Sequence, residues 1–198
     1  MSMGKAERTR QLIIEKTAPI FNKKGFDATS LSDLTRATGL TKGAIYGNFS
    51  DKEEIRKKAF DYATAKVKSK VKQHLVGQTT YKGQLIALIN FYSTYVLSPP
   101  IPGGCPLLNT AIEADDHHTG IRKKVVIELT ATVNFIKTLL DKGVIAGEFK
   151  TGIDTKSLAY VFFCSIEGAL MFSRAERSCK SMDMVVEHCK GILDRISK

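Results

Sequence analysis

Residues 30–49 read SLSDLTRATGLTKGAIYGNF and carry the strongest structural signal in the chain. Apolar residues recur here at a spacing that lets two short helices pack against each other at a steep angle: Leu31, Leu34, Leu40 and Ile45. Gly39 falls between these helices, where a glycine adopts a positive φ at little cost. The spacing predicts a helix-turn-helix, although any tight helical corner needs similar contacts.

The second helix of this motif has the features of a DNA recognition helix. Thr41 suits an N-cap, because its hydroxyl can accept a hydrogen bond from the first turn. The predicted exposed side carries Thr41, Lys42 and Tyr46, and the small residues Gly43 and Ala44 would let the backbone approach the floor of a groove. We therefore interpret this helix as the element that reads DNA.

The positive charge of the chain is concentrated in its N-terminal third. The formal net charge is +10; residues 1–72 contain 16 Lys/Arg and 8 Asp/Glu, whereas residues 83–198 contain 13 and 12. A basic head on a nearly neutral body is typical of a protein that binds a polyanion such as DNA. The alternative is a solvated basic surface that only aids solubility.

Composition and periodicity predict an all-α protein with enough apolar residues to bury a core. The 198 residues are 43% hydrophobic and 25% charged, which argues against wholesale disorder. Apolar residues recur every three or four positions, and hairpin signals are nearly absent. The predicted helices lie near residues 4–24, 31–38, 42–48, 51–76, 81–97, 105–115, 119–142, 154–176 and 181–196. A capping box of Ser50 and Glu53 is expected to start the fourth helix.

Cysteine spacing and apolar run lengths predict a reduced, cytoplasmic protein with no membrane association. The four cysteines follow neither a zinc-finger nor a C-x-x-C spacing: Cys105, Cys164, Cys179 and Cys189. No apolar leader follows Met1. The longest apolar stretch, residues 85–97, is shorter than the roughly 18 to 20 residues that a membrane span requires.

Residues 5–60, approximately, resemble the DNA-binding domain of the tetracycline-repressor (TetR) family of bacterial transcription regulators. The resemblance is carried by Phe21, Gly25, Phe26, Thr29, Ser30, the run from Gly39 to Tyr46, Phe49, Lys52, Glu53 and Glu54. The chain departs from the family at Thr35 and Thr38, where alanine is common, and at Gly47-Asn48, which replace an aromatic or histidine pair. The resemblance implies an all-α fold with a three-helix DNA-binding head and a C-terminal effector-binding and dimerisation domain.

The resemblance also implies which residues contact DNA. Residues matching Thr29, Tyr46 and Lys52 contact phosphates in that family, and the third helix enters the major groove. By the same resemblance, the residues expected to read base edges are Thr41, Lys42, Gly43, Ala44 and Gly47. The candidate DNA-binding set is Thr29, Ser30, Thr41, Lys42, Gly43, Ala44, Tyr46, Gly47, Asn48 and Lys52. Tyr46 has the alternative of packing on the domain core. The positive charge of Lys52 is unfavourable at the start of a helix, where the helix dipole is also positive. A contact with a phosphate therefore explains a lysine at this position better than a contribution to helix stability does.

The C-terminal part resembles the family in its general helical organisation but not in specific motifs. Its sites are therefore predicted from the pattern of apolar residues. We expect domains at residues 1–50 and 81–198, joined by a linker helix at 51–80. Residues 81–97 are apolar nearly all round and could line an effector cavity. The candidate pocket residues are Phe91, Tyr95, Cys105, Leu108, Asn109, Ile112 and Phe135.

Small and apolar residues on the last two predicted helices favour a four-helix bundle formed by two subunits, as in the family. The candidate interface is Ser165, Gly168, Ala169, Phe172, Val185, Cys189 and Ile192. Packing within one chain is the alternative. A homodimer would also place two heads one helical turn apart on a pseudo-palindromic site in double-stranded DNA.

The sequence therefore predicts a homodimeric transcriptional regulator, and the family resemblance implies a repressor that an unidentified small-molecule effector releases from its operator. An alternative is a sensor of electrophiles or oxidants acting through Cys105, which precedes Pro106 at a predicted helix start that would favour the thiolate. The residues Asp115-Asp116-His117-His118 are metal-ligand types, but adjacent side chains point apart, so we expect no metal. No catalytic triad or phosphate loop is recognisable, so we expect no enzymatic activity and no cofactor. The alternative from a different class is an all-helical ligand carrier or enzyme whose basic head is incidental.

Overall fold

The computed structural model describes residues 4–115 and 119–198, and within them the secondary structure is helical apart from one isolated antiparallel bridge between Phe149 and Ser197. The helices are α1 Lys5–Lys24, α2 Leu31–Thr38, α3 Lys42–Tyr46, α4 Lys52–Leu75, α5 Tyr81–Thr94, α6 Pro106–Ala114, α7 Thr119–Ile145, α8 Thr155–Glu176 and α9 Lys180–Ile196. The prediction of an all-α fold is confirmed. The ends of α3, α5 and α7 differ from the predicted ones by two or three residues.

The described chain forms two compact units. The first contains the chain up to Lys68 together with Pro100–Val125, and the second contains Ser69–Pro99 and Val126–Lys198. The first unit thus includes α6, which sequence analysis placed with the C-terminal domain. Contacts between α1 and α6 account for this grouping, because they join segments about 85 residues apart in the chain.

The core of the first unit is built from the apolar residues of the predicted helix-turn-helix and its neighbours. Leu34 of α2 and Ile45 of α3 are fully buried, and Leu31 and Leu40 pack against the same cluster. Truncating a buried leucine to alanine generally costs about 2 to 5 kcal/mol. The pattern that predicted the motif therefore identifies the contacts that hold it together.

Local hydrogen bonds set the starts and ends of these helices. Ser30 and Asp33 form the reciprocal capping box of α2, and Gly39 ends it in the left-handed conformation, with φ 70°. At α4 the prediction was wrong in detail. The amide of Glu54 donates a hydrogen bond to the Asp51 carboxylate at 2.7 Å, so Asp51 takes the role predicted for Ser50. The amide of Ser50 donates to the Glu54 carboxylate at 2.8 Å, so Glu54 takes the role predicted for Glu53.

The second unit is organised around α8 and α9, and α5 packs against both. Helix α8, Thr155–Glu176, is long and apolar enough to span a membrane by length and composition alone, a feature that sequence analysis did not weigh. Phe162, Ile166 and Leu170 on this helix are buried in the unit. That burial is what the core helix of a folded domain requires.

Candidate nucleic-acid interface

Helix α3 exposes one side and anchors the other. Ile45 is fully buried, whereas Thr41, Lys42 and Gly43 are exposed at the start of the helix. Thr41 is the N-cap, and its Oγ1 accepts a hydrogen bond from the amide of Ala44 at 3.2 Å. The structure therefore brings together the predicted base-reading residues on one accessible surface.

Two residues close α3 after only five residues. The amide of Gly47 donates to the Gly43 carbonyl at 2.8 Å, and Asn48 Nδ2 donates to the Ala44 carbonyl at the same distance. A Cβ at position 47 would lie 3.2 Å from the Gly43 carbonyl oxygen, which explains why a small residue is suited there. The Asn48 side chain acts on the helix end, and Tyr46, 36% exposed, presents part of its ring to solvent.

Arg10, which no sequence motif marks, holds the segment after α3 in place. Its Nη1 donates to the main-chain carbonyl of Asn48, its Nη2 donates to Glu54 Oε1 at 2.5 Å, and its guanidinium lies 4.2 Å from the centre of the Phe49 ring. The partners lie 38 and 44 residues away in the chain. No local pattern could have revealed this network.

Glu54 is the acidic centre of the Arg10 network. Its Oε2 accepts hydrogen bonds from the amide and the hydroxyl of Ser50, at 2.8 and 3.1 Å. The hydrogen bond from Arg10, followed by that from the Ser50 amide, lowers the pKa of Glu54 from 4.5 to about 2. The carboxylate is therefore ionised at neutral pH and links α1, α4 and the loop after α3.

Three residues of the candidate DNA-binding set have partners inside the first unit. Thr29 is fully buried and its Oγ1 donates to the Gly25 carbonyl at 2.5 Å, so this hydroxyl is engaged within the protein. Ser30 is exposed, but its Oγ donates to Asp33 at 2.8 Å. Lys24 and the amide of Ser30 hold the pKa of Asp33 well below its usual range. Lys52 is half-buried and donates to a main-chain carbonyl.

The predicted effector residues divide between the two units. Phe91 and Tyr95 are buried in the second unit with ring centroids 5.5 Å apart, whereas Phe135 is 39% exposed. The other four belong to the first unit: Cys105, Leu108, Asn109 and Ile112. A cavity of about 10 Å³ in the second unit is lined by a different, entirely apolar set: Leu85, Leu88, Ile89, Tyr92, Ile136, Phe162, Phe163 and Ile166.

The predicted interface residues divide between the core and the surface. Ala169 and Cys189 are buried within the subunit, so neither side chain is available to a partner, and this part of the prediction is corrected. Phe172 is 56% exposed, and the half-buried residues are Ser165, Gly168, Val185 and Ile192. The same surface exposes apolar residues that were not predicted: Tyr160, Val161, Met171 and Met184. We call this surface the α8–α9 apolar face.

The cysteines differ in exposure in a way that the sequence did not indicate. Cys105 precedes α6, as expected, but only 4% of it is exposed. Cys164 is exposed on α8, and Cys179 is half-buried at the N-cap of α9. Burial raises the pKa of the Cys189 thiol to about 11. Burial of Cys105 limits the access of a reagent to its sulfur atom.

Metal binding was considered for residues 115–118, of which 116–118 lie outside the described residues. Across the part of the chain that the structure describes, no three His, Cys, Asp or Glu side chains are grouped in a way that could hold a metal ion.

Two family models match the chain. The model described as bacterial regulatory proteins, tetR family, matches residues 13–59, and the tetracyclin repressor-like C-terminal domain matches residues 82–189. The first match begins within α1 and ends within α4, and it covers the helix-turn-helix. The second covers more than half of the chain.

Similar proteins match over nearly their whole length. A TetR-family transcriptional regulator from Cytophaga hutchinsonii is 40% identical, with a TM-score of 0.92 over 100% of this chain and 98% of that one. A TetR transcriptional regulator from Chloroflexus aurantiacus is 33% identical, with a TM-score of 0.94 over 98% of each chain. An uncharacterized HTH-type transcriptional regulator of Mycobacterium tuberculosis is 26% identical over 93% of each chain.

Proposed function

Because the chain belongs to the TetR family of bacterial regulatory proteins and is a DNA-binding transcriptional regulator, we propose that it is a homodimeric repressor released from a pseudo-palindromic operator by a small-molecule effector. The observation that carries this proposal is the exposed start of α3 on a buried Ile45 anchor. A short helix fixed in this way can enter the major groove with its first residues against base edges.

DNA contacts divide by chemistry into base reading and phosphate binding. We assign base reading to Thr41, Lys42, Gly43 and Ala44, which lie at the start of α3, and to Gly47 at its end. Phosphate contacts are assigned to Tyr46 and Lys52. Phosphate contacts fix the register of the protein on the duplex but carry no direct sequence information.

Dimerisation is assigned to the α8–α9 apolar face. Exposed apolar side chains as large as Phe172, Tyr160 and Met184 on one face are typical of an interaction surface. A two-fold axis through this face would present two heads to two half-sites, which mirrors the symmetry of a pseudo-palindrome.

The effector is assigned to the second unit, which matches the family's C-terminal domain over most of its length. An effector that binds the DNA-incompetent conformation more tightly shifts the population away from the operator-bound state. A coupling free energy of about 1 to 3 kcal/mol would change operator affinity about 5- to 150-fold. The proposal gives the chain a regulatory, non-enzymatic role in the cytoplasm, where operator DNA lies.

The experiment that tests this proposal is fluorescence anisotropy with labelled duplexes from the region upstream of the chain's own gene and its neighbours. Affinity is measured at several salt concentrations beside a duplex of scrambled sequence. We expect preference for one duplex and a steep linear fall of log affinity with log salt, because released counterions dominate binding. A weak, salt-independent response would instead favour a ligand carrier or an enzyme.

A further inference from the structure

A small cavity with polar walls lies inside the first unit, where α1, α4 and α6 meet. Its volume is about 20 Å³, and its polar lining residues are Asn22, Arg56, Thr110 and Glu113. The remaining walls are apolar side chains of the same three helices. No motif in the sequence marks this junction, because its members come from segments far apart in the chain.

Arg56 is the unusual member of the junction, because its charge is buried and only partly satisfied. The residue is 3% exposed, its Nη2 donates to Glu53 at 3.1 Å, and its guanidinium lies 4.1 Å from the centre of the Phe26 ring. Nε and Nη1 are buried with no hydrogen-bond partner among the described residues. An unsatisfied buried donor is costly, so an acceptor is required in the cavity.

The size and chemistry of the cavity select a water molecule. A space of about 10 to 15 Å³ is enough to hold one water, provided that two to four polar groups surround it. The Arg56 N–H groups need an acceptor, whereas Glu113 accepts hydrogen bonds through its Oε1, so a molecule that bridges the two residues must both accept and donate. An anion could accept from Arg56 but would repel Glu113.

Glu113 connects the junction to the helix-turn-helix. Its Oε1 accepts hydrogen bonds from the main-chain amides of Phe26 and Asp27, the latter at 3.2 Å. Gly25 permits this approach, because a Cβ there would lie 2.6 Å from Glu113 Oε1 and its φ is +79°. These residues form the loop that leads from α1 into α2.

We propose that the α1–α4–α6 junction binds one water molecule that joins Arg56 to Glu113, and that Glu113 is a positioning residue for the helix-turn-helix. The chain of hydrogen bonds runs from α4 through the water and α6 to the Phe26–Asp27 loop. A displacement of α6 would release these amides and loosen the recognition motif. The positioning role rests on the proposed function as a DNA-binding repressor; the water site does not.

Crystals of the full chain grown in sodium bromide test the water site directly. We expect an electron-density peak within hydrogen-bond distance of Arg56 and Glu113 that has no anomalous signal at the bromine edge. An anomalous peak there would show a halide, and an empty cavity would leave Arg56 unsatisfied. Either result would overturn the water bridge.

Exchange and binding measurements on Glu113→Ala and Glu113→Gln test the positioning role. Hydrogen–deuterium exchange of the peptide containing Phe26 and Asp27 should accelerate about 10-fold in Glu113→Ala, because the charge-assisted hydrogen bonds to these amides are lost. Operator affinity should fall about 10-fold, and Glu113→Gln, which keeps an acceptor oxygen, should restore part of both. Glu187→Gln, an exposed carboxylate on α9, is the matched control.

The outcomes separate this inference from the proposed function. Unchanged exchange at Phe26 and Asp27 in Glu113→Ala would overturn the positioning role, as would a fall in melting temperature that accounts for the whole loss of affinity. If the native protein binds no operator, the proposed function and the positioning role are both wrong. The water site is tested independently, by the electron density in the crystals.

Discussion

The ammonium group of Lys52 donates a hydrogen bond to the main-chain carbonyl of Phe26 at 2.5 Å and lies 4.2 Å from the centre of the same residue's ring. A lysine at the start of α4 thus offsets its unfavourable position on the helix dipole with two contacts inside the protein. An ammonium has three donors, so a phosphate can still bind beside the carbonyl.

Lys52→Ala is expected to weaken binding to operator and random DNA to about the same extent. A phosphate contact carries no base information, so the slope of log affinity against log salt should become shallower by about one. Anisotropy titrations at several salt concentrations measure both quantities. Lys66→Ala, on the exposed side of the same helix, is the control. An unchanged slope would mean that Lys52 serves only Phe26.

Lys42→Ala is expected to cost more on the operator than on random DNA. Lys42 lies exposed at the first position of α3, and a lysine that meets a guanine edge contributes about 1 to 3 kcal/mol of discrimination. Competition between operator and scrambled duplexes measures this difference. Equal losses on both duplexes would assign Lys42 to the phosphate contacts.

Gly168→Leu is expected to disrupt the dimer without unfolding the subunit. No atom lies within 4 Å of a Cβ at this position, so the added side chain projects from the α8–α9 apolar face. Analytical ultracentrifugation should show monomers, and operator affinity should fall sharply. Cys164 is exposed on the same helix of the subunit, so loss of a partner subunit should increase its rate of alkylation. Gly168→Ala is the conservative control. A dimer of native affinity in Gly168→Leu would place the interface elsewhere.

Glu54→Gln is expected to lower stability in a pH-dependent way. The pKa of Glu54 is about 2 in the folded protein against 4.5 as its ordinary value, so its ionised form stabilises the fold above pH 4.5. This contribution is lost as the pH falls through about 2. Urea unfolding from pH 7 to pH 2.5 should show a difference between native protein and variant that shrinks below pH 4.5. A constant difference would contradict the role of Arg10 in lowering this pKa.

Cys179 is expected to alkylate faster than Cys105, and Cys189 is expected to be the slowest of these three thiols. Cys179 is half-buried, whereas Cys105 is almost fully buried and Cys189 combines burial with a pKa of about 11. Mass spectrometry after timed alkylation of the native protein gives the order. Rapid labelling of Cys105, with loss of operator binding after mild oxidation, would restore the thiol-sensing alternative.

The helices, the helix-turn-helix and the family are predictable from the amino-acid sequence. These depend on relations within a few residues: the periodicity that buries Leu34 and Ile45, the cap bonds of Ser30 and Thr41, and the left-handed turn at Gly39. Hydrogen bonds and packing at a separation of three or four residues are properties of the local chain. A reader of the sequence can therefore predict them.

The roles of individual side chains depend on the tertiary structure. The family resemblance assigns a phosphate contact to Thr29, and the position before Pro106 assigns a reactive thiol to Cys105, but both residues are buried. Arg10 and Glu113 carried no sequence signal, because their partners lie 38 to 87 residues away. Burial and hydrogen bonding between distant segments depend on how the helices pack. Helical periodicity predicts which side of a helix is apolar, but it does not predict which other helix packs against that side.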